Sequence, residues 1–251
     1  LVCVASTYGT GSEVTPFAVL TNPKTRNKDP VISWMIAPQA AILDAELCVA
    51  LPAAVGGPTG MDALTHAIES YTNLMSTPLT DGIALSAIEL IGKHLRLACA
   101  NDHELEATQQ MLLASCMAGI AFSQTRLGNV HAMSHPVGAQ FGVHHGMANA
   151  VLLPHVMEYN LQARIGKFGD IAHALGEATD GLSDYDAACL AIDQVRQLND
   201  DLDIPGQLRE VGVKASGTAA LARAAMQSGN VKVNPRKTTP KAMEALFRAA
   251  I

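Results

Sequence analysis

The sequence predicts a mainly α protein with a short β-containing segment at its amino-terminal end. Two patterns carry this expectation. Before residue 47 the apolar residues form short runs of strand length, broken by turn formers; beyond it they recur at spacings of three and four over long stretches. With 251 residues, 49% of them hydrophobic and 16% charged, the chain can bury a large core as one big or two smaller domains.

The elements follow in order. LVCVAS at 1–6 reads as a buried strand, and a chain that starts directly in such a run looks like the middle of a protein. In STYGTGSEVT at 6–15, Gly9 and Gly11 permit unusual backbone angles and the small hydroxyls could meet a polar group; a plain glycine turn is the stronger reading and a phosphate or cofactor contact the weaker. FAVLT, the turn NPKTRNKDP and VISWMI suit a hairpin, and AAILDAE one further strand, because Asn22-Pro23 and Asp29-Pro30 break helix. Helical spacing then covers 61–71, 80–98, 104–122, 130–137 into a turn, 146–156, and several segments from 166 to the end, with a turn at 203–206 between two of them.

Composition excludes several classes. The formal net charge of -6, without any basic stripe, gives no electrostatic reason to bind nucleic acid or an anionic membrane, and 4% aromatic residues leave little to stack on bases. Five scattered cysteines, Cys3, Cys48, Cys99, Cys116 and Cys189, are odd in number and never spaced as C-x-x-C, against both a disulfide scaffold and a thiolate zinc site. Neither a bilayer-length apolar segment nor a charged-then-apolar leader is evident, so cytoplasm is the default compartment.

The most pointed chemistry lies in GMDALTHAIES at 60–70 and NVHAMSHPVGAQFGVHHGMAN at 129–149. Asp62 and His66 are four apart, as are His131 and His135, so each pair stacks on one helix face and can reach one ion. His144 and His145 follow where two glycines suggest a loop entering the next helix. An isolated Asp-x-x-x-His is usually a hydrogen-bonded surface pair; two pairs and a glycine-framed histidine coincide far less often by accident. Oxygen and imidazole ligands without sulfur suit iron(II), zinc, manganese or nickel. Six candidates exceed the usual three or four protein ligands, and spacing does not choose among them. His94, His103, His155 and His173 lack such a pattern and read as surface or packing residues.

GMDALTHAIESY, GNVHAMSHPVGAQFGVHHGMANAVLLPHVMEYN and STYGTGSEVTPFAVLTN together resemble the signatures of the iron-containing (group III) alcohol dehydrogenase family, and the likeness runs on to SGNVKVNPRK and AMEALFRAAI. Within that family the chain is most similar to the lactaldehyde-reductase and ethanolamine-utilisation types. The resemblance implies metal ligands at Asp62, His66, His131 and His145, with His135 beside the nicotinamide as the proton-relaying catalytic residue and His144 a neighbour only. That doubled histidine departs from the usual family pattern. It further implies dinucleotide contacts at Ser6, Thr7, Thr15, Phe17, Lys28 and Leu47, with Ser6 standing where a threonine is commoner.

The implied architecture is an all-helical metal-binding and catalytic domain over 47–251, preceded at 1–46 by a short β-containing remainder of an α/β dinucleotide-binding domain. The expected activity is hydride transfer between NAD or NADP and a small primary alcohol or aldehyde, with a divalent metal, most commonly Fe(II) and alternatively zinc. The glycine-rich pyrophosphate segment expected upstream is not in the sequence, so the resemblance implies weak cofactor binding and impaired turnover for these residues alone. A homo-oligomer, dimer or larger, is the default assembly. Rival readings are related activities of the same architecture, such as glycerol oxidation, maleylacetate reduction or hydroxyacid-oxoacid transhydrogenation, and a metal-binding helical module with a structural or interaction role.

Overall fold

The computed structural model describes residues 1–21, 28–101 and 103–251. The β-containing part holds β1 (Val2–Val4), β2 (Phe17–Thr21), β3 (Lys28–Ile32) and β4 (Ala40–Ile42). All the α-helices follow it: α1 (Ala53–Thr72), α2 (Pro78–Ala100), α3 (Leu105–Thr125), α4 (Asn129–Phe141), α5 (His145–Leu161), α6 (Ile165–Ala174), α7 (Asp184–Asp201), α8 (Thr218–Ala225) and α9 (Pro240–Ala250). The protein is therefore mainly α, with its few strands confined to the amino-terminal part.

The expected hairpin forms, with β2 antiparallel to β3. The further strand β4 instead pairs with β1 in parallel, Val2 opposite Ala40 and Val4 opposite Ile42. VISWMI leaves the sheet after Ile32, and Trp34–Ile36 forms a short 3-10 turn capped by the Ser33 side chain. One expectation holds only in part: the run at 1–6 forms strand β1, but apart from Ala5 it is not buried. Leu1, Val2 and Val4 are all exposed. Parallel strands are covered when helices pack on both faces of the sheet, and β1 has β4 as its one strand neighbour among the described residues.

The helical boundaries have local causes. Thr77 and Thr80 form a reciprocal capping box at the start of α2, with Pro78 in its first turn; Ser183 caps α7 and Thr239 caps α9. Ala84, Ala87, Ile88, Ile91, Leu95 and Ala98 give α2 one buried stripe at helical spacing. Prolines do not end the helices as local rules suggest. Pro58 lies within α1 and Pro136 within α4, so α1 begins well before residue 61 and α4 continues past 137 to Gly142, which closes it in the left-handed region at φ 71°.

α1 is the centre of the molecule. Every residue from Gly56 to Thr72 is buried, and α2, α3 and α5 pack around it. Burying polar groups is costly unless they are bonded. Thr65 and Thr72 accordingly donate back to the carbonyls of Met61 and Ile68, and Ser70 bonds Thr125 across to α3. Thr59 likewise donates back to the Val55 and Gly56 carbonyls, and Asp62, His66 and Glu69 are the other buried polar groups of this helix.

Candidate metal centre

Asp62, His66 and Glu69 stand at i, i+4 and i+7 along α1, which places them on one face. Two further helices bring their amino-terminal turns against that face, and each arrives with a glycine at the contact. A Cβ on Gly146, the second residue of α5, would lie 2.3 Å from the Pro58 carbonyl oxygen of α1. A Cβ on Gly128, just before α4, would lie 2.8 Å from Glu69 Oε1. A side chain cannot approach backbone as closely as Gly146 does, so this glycine sets how near α5 comes to α1, while at Gly128 the absent Cβ leaves room for the Glu69 carboxylate. His145 beside Gly146, and His131 in the first turn of α4, are thereby delivered to Asp62.

Around Asp62 Oδ1 lie His131 Nε2 at 3.6 Å, His145 Nε2 at 3.7 Å and His66 Nε2 at 3.8 Å. An ion bonded at about 2.1 Å to tetrahedral ligands holds them roughly 3.4 Å apart, close to these separations. Among the described residues, Asp62, His131 and His145 form the one group of three whose ligand atoms all lie within 4.8 Å of one another. His66 adds its nitrogen from the Asp62 side, with its ring 4.7 Å from that of His131 and 4.5 Å from that of Phe122. One carboxylate and imidazole nitrogens suit iron(II) or zinc, and the residues present fit such an ion.

Outer partners hold the rings. Glu69 accepts from His131 Nδ1 at 2.6 Å and from the Val130 amide at 2.7 Å, so it fixes both the imidazole and the first turn of its helix. His66 Nδ1 lies 3.1 Å from the Gly9 carbonyl oxygen. With Nδ1 engaged, Nε2 of each ring is the nitrogen presented to the site. Asn149, one turn beyond His145, places its Nδ2 2.5 Å from Asp62 Oδ1 and 3.1 Å from Nε2 of both His131 and His145. Its buried Oδ1 has no hydrogen-bond partner among the described residues.

The electrostatics follow from burial and crowding. Burial opposes ionisation of Asp62, yet His66, His145 and His131 around it outweigh burial and hold the carboxyl well below its usual range. Burial lowers His66 to about 4 against the pull of Asp62. It also works against a proton on His131, but Asp62 and Glu69 beside the ring raise that group to about 9.

These donors open onto a cavity of about 910 Å³ that also takes in His135, Phe122 and Arg126. The His135 ring stacks 5.5 Å from His145 and meets His131 edge-on at 6.2 Å. Of the residues expected to contact a dinucleotide, Thr15 and Phe17 line this cavity. Ser6, Thr7 and Leu47 do not, and Leu47 is exposed. The Lys28 side chain lies outside the described residues. His144 is exposed as the residue preceding α5. Glu69 and Asn149 are the residues that sequence reasoning missed, although both sit at helical spacing from an expected ligand.

Residues 58–251 match the model of the "Fe-containing alcohol dehydrogenase family, C-terminal", and residues 1–45 match "Iron-containing alcohol dehydrogenase". The chain belongs to the iron-containing alcohol dehydrogenase family. It is 47% identical over 250 residues to 1,3-propanediol dehydrogenase of Citrobacter freundii, covering 100% of this chain and 65% of that protein. Lactaldehyde reductase of Escherichia coli K12 is 40% identical over 250 residues, again with 100% and 65% covered. The solved structure of a 1,3-propanediol oxidoreductase superposes with a TM-score of 0.97 at 46% identity, over 100% of this chain and 65% of that one. The chain thus spans about two thirds of the length of the relatives it matches.

Proposed function

We propose that these residues form the metal-binding part of an alcohol dehydrogenase, working equally as an aldehyde reductase, on a small primary alcohol or aldehyde with NAD or NADP. The observation that supports it most is the convergence of Asp62, His131 and His145, with His66 behind them and His135 in the same cavity, in a chain of this family. In this reading Asp62, His66, His131 and His145 hold one divalent ion, Fe(II) or alternatively zinc. When bound, the metal polarises the substrate oxygen and the nicotinamide gives or takes the hydride.

The chain's own side chains do the rest. Glu69 keeps the proton of His131 on Nδ1, so that Nε2 faces the ion. His135, four residues from His131 and stacked on His145, passes on the proton that the substrate oxygen releases or takes up. Phe17 and Phe122, with rings 5.8 Å apart, give the cavity an apolar wall that limits water around the reacting carbon. Thr15 and Phe17 meet the nicotinamide end of the cofactor from within the cavity, and Ser6, Thr7, Lys28 and Leu47 serve the dinucleotide groove outside it. The division between dinucleotide-binding and helical domains falls at residues 46 and 47. The enzyme acts in the cytoplasm as a homo-oligomer.

The full-length enzyme should carry one equivalent of divalent metal and oxidise short primary alcohols with NAD or NADP in proportion to metal content. Chelator should remove both properties, and Fe(II) or zinc should restore them. Stoichiometric metal without nicotinamide turnover would favour the structural-module reading instead.

A further inference from the structure

We propose that Arg126 recognises a negative charge on the substrate, so that the alcohol or aldehyde carries a carboxylate or a similar anionic group away from its reacting carbon. The inference rests on the reading of the cavity as an alcohol dehydrogenase site and narrows its substrate class.

Three observations carry it. Arg126 terminates α3 with φ 65° and ψ -167°, a backbone region suited to glycine. Asp203 is the other non-glycine residue with positive φ among the described residues, and aspartate tolerates such angles more readily. The Arg126 backbone is pinned there: its N–H donates to the Phe122 carbonyl at 2.8 Å, and its carbonyl accepts from Thr125 Oγ1 at 2.8 Å. A strained residue persists when the surrounding structure fixes it, and such residues cluster at functional sites.

The second observation is where the guanidinium goes. Arg126 lines the same cavity as Asp62, His131, His135 and His145. Its Nη1 would lie 3.3 Å from a Cβ at Gly229, so this glycine leaves room for the guanidinium to rest against the 227–230 segment that also lines the cavity.

The third is charge. Arg96, Arg196 and Arg248 each meet a carboxylate, whereas Arg164, Arg209, Arg223 and Arg236, like Arg126, have none among the described residues; of these, only Arg126 lines the cavity. The wall beyond it offers only the neutral groups of Gln227, Ser228 and Asn230. A planar fork of N–H donors is the side chain best matched to a carboxylate or an equivalent oxyanion. A cofactor phosphate could offer the same chemistry, and the experiment separates the two sources.

In the full-length, metal-loaded enzyme, kcat/KM would be compared for ω-hydroxybutyrate and butanol in the native protein and in Arg126→Gln, Arg126→Lys and Arg126→Gly. We expect the native enzyme to prefer the anionic alcohol by about 10- to 100-fold, the range of a charge-assisted hydrogen-bonded contact. Arg126→Gln and Arg126→Gly should erase that preference, and Arg126→Lys should keep part of it. Arg126→Gly should also raise the melting temperature, because it removes the backbone strain. Calorimetric binding of butyrate gives a readout independent of turnover: binding that Arg126→Gln weakens about tenfold or more upholds the site even if no alcohol is oxidised. A preference ratio and butyrate affinity unmoved by all three substitutions would overturn the inference. So would a rise in cofactor KM with that ratio unchanged, which would assign Arg126 to the dinucleotide.

Discussion

Glu69 Oε2 accepts the His131 Nδ1 hydrogen bond at 2.6 Å with both side chains buried. The same carboxylate accepts from the Val130 amide, so one residue of α1 fixes both the tautomer of a candidate ligand and the helix that carries it. Glu69→Gln should weaken metal affinity by about 10- to 100-fold, the usual cost of losing such an outer partner. Competition with a chromophoric chelator measures this, and unchanged affinity would show that Glu69 serves folding alone.

Asn149 engages the atoms that would bind the ion, since its Nδ2 contacts Asp62 Oδ1 and Nε2 of His131 and His145. These contacts occupy the ligand atoms that a metal would take. Asn149→Ala should therefore destabilise the metal-free protein by about 1–3 kcal/mol and the metal-loaded protein by less, widening the thermal shift produced by metal. A shift that stays the same or narrows would contradict this competition.

Gly146→Ala should lower stability by about 1–3 kcal/mol and impair metal binding, because the new Cβ would meet the Pro58 carbonyl oxygen at 2.3 Å and its carbon at 2.8 Å, both backbone atoms. Gly166→Ala is the control: no atom lies within 4 Å of its Cβ position on α6, so the change should be neutral or stabilising by up to about 1 kcal/mol. Denaturant titration of both variants gives the comparison. Equal effects would remove the close approach of α5 and α1 as a cause.

For the metal-free protein, stability should fall as pH rises from about 6.5 to about 9. His131 has its proton held more tightly in the fold, with a value near 9, than in the unfolded chain near 6.5. Such a group contributes fully below the unfolded value and loses its contribution as pH rises through the folded one. His66, lowered to about 4 by burial, acts in the window below 6.5, and Asp62 lower still. Denaturation midpoints across this range test the sign, and Glu69→Gln should flatten the slope; a midpoint that climbs toward pH 9 would refute it.

Asp62 with His66, and His131 with His135, were legible as candidates because two residues four apart on a helix share a face, a rule that needs no knowledge of the fold; His145 stood out by its glycine-framed place, and the choice among the six came with the family resemblance. Glu69 obeys the same spacing from Asp62 but reads as an ordinary helical polar residue, since its partners lie about sixty positions away on α4. Asn149 was hidden likewise: its role appears only once α5 docks on α1. Strand patterns located β1 and β4, but an apolar run does not name its partner, so neither their parallel pairing nor the exposure of Val2 and Val4 could be read. Apolar spacing gave shorter helices than form, since α1 and α4 run through Pro58 and Pro136, which tertiary packing accommodates within them.

In the proposed function, four ligands and one proton-relaying histidine divide the labour. This division is tested most directly by metal content beside turnover in His131→Ala, His145→Ala and His135→Ala of the full-length enzyme. The first two should lose stoichiometric metal, while His135→Ala should keep it and lose activity by about 100-fold or more. Equal metal loss in all three, or full metal retention in His131→Ala, would contradict that division.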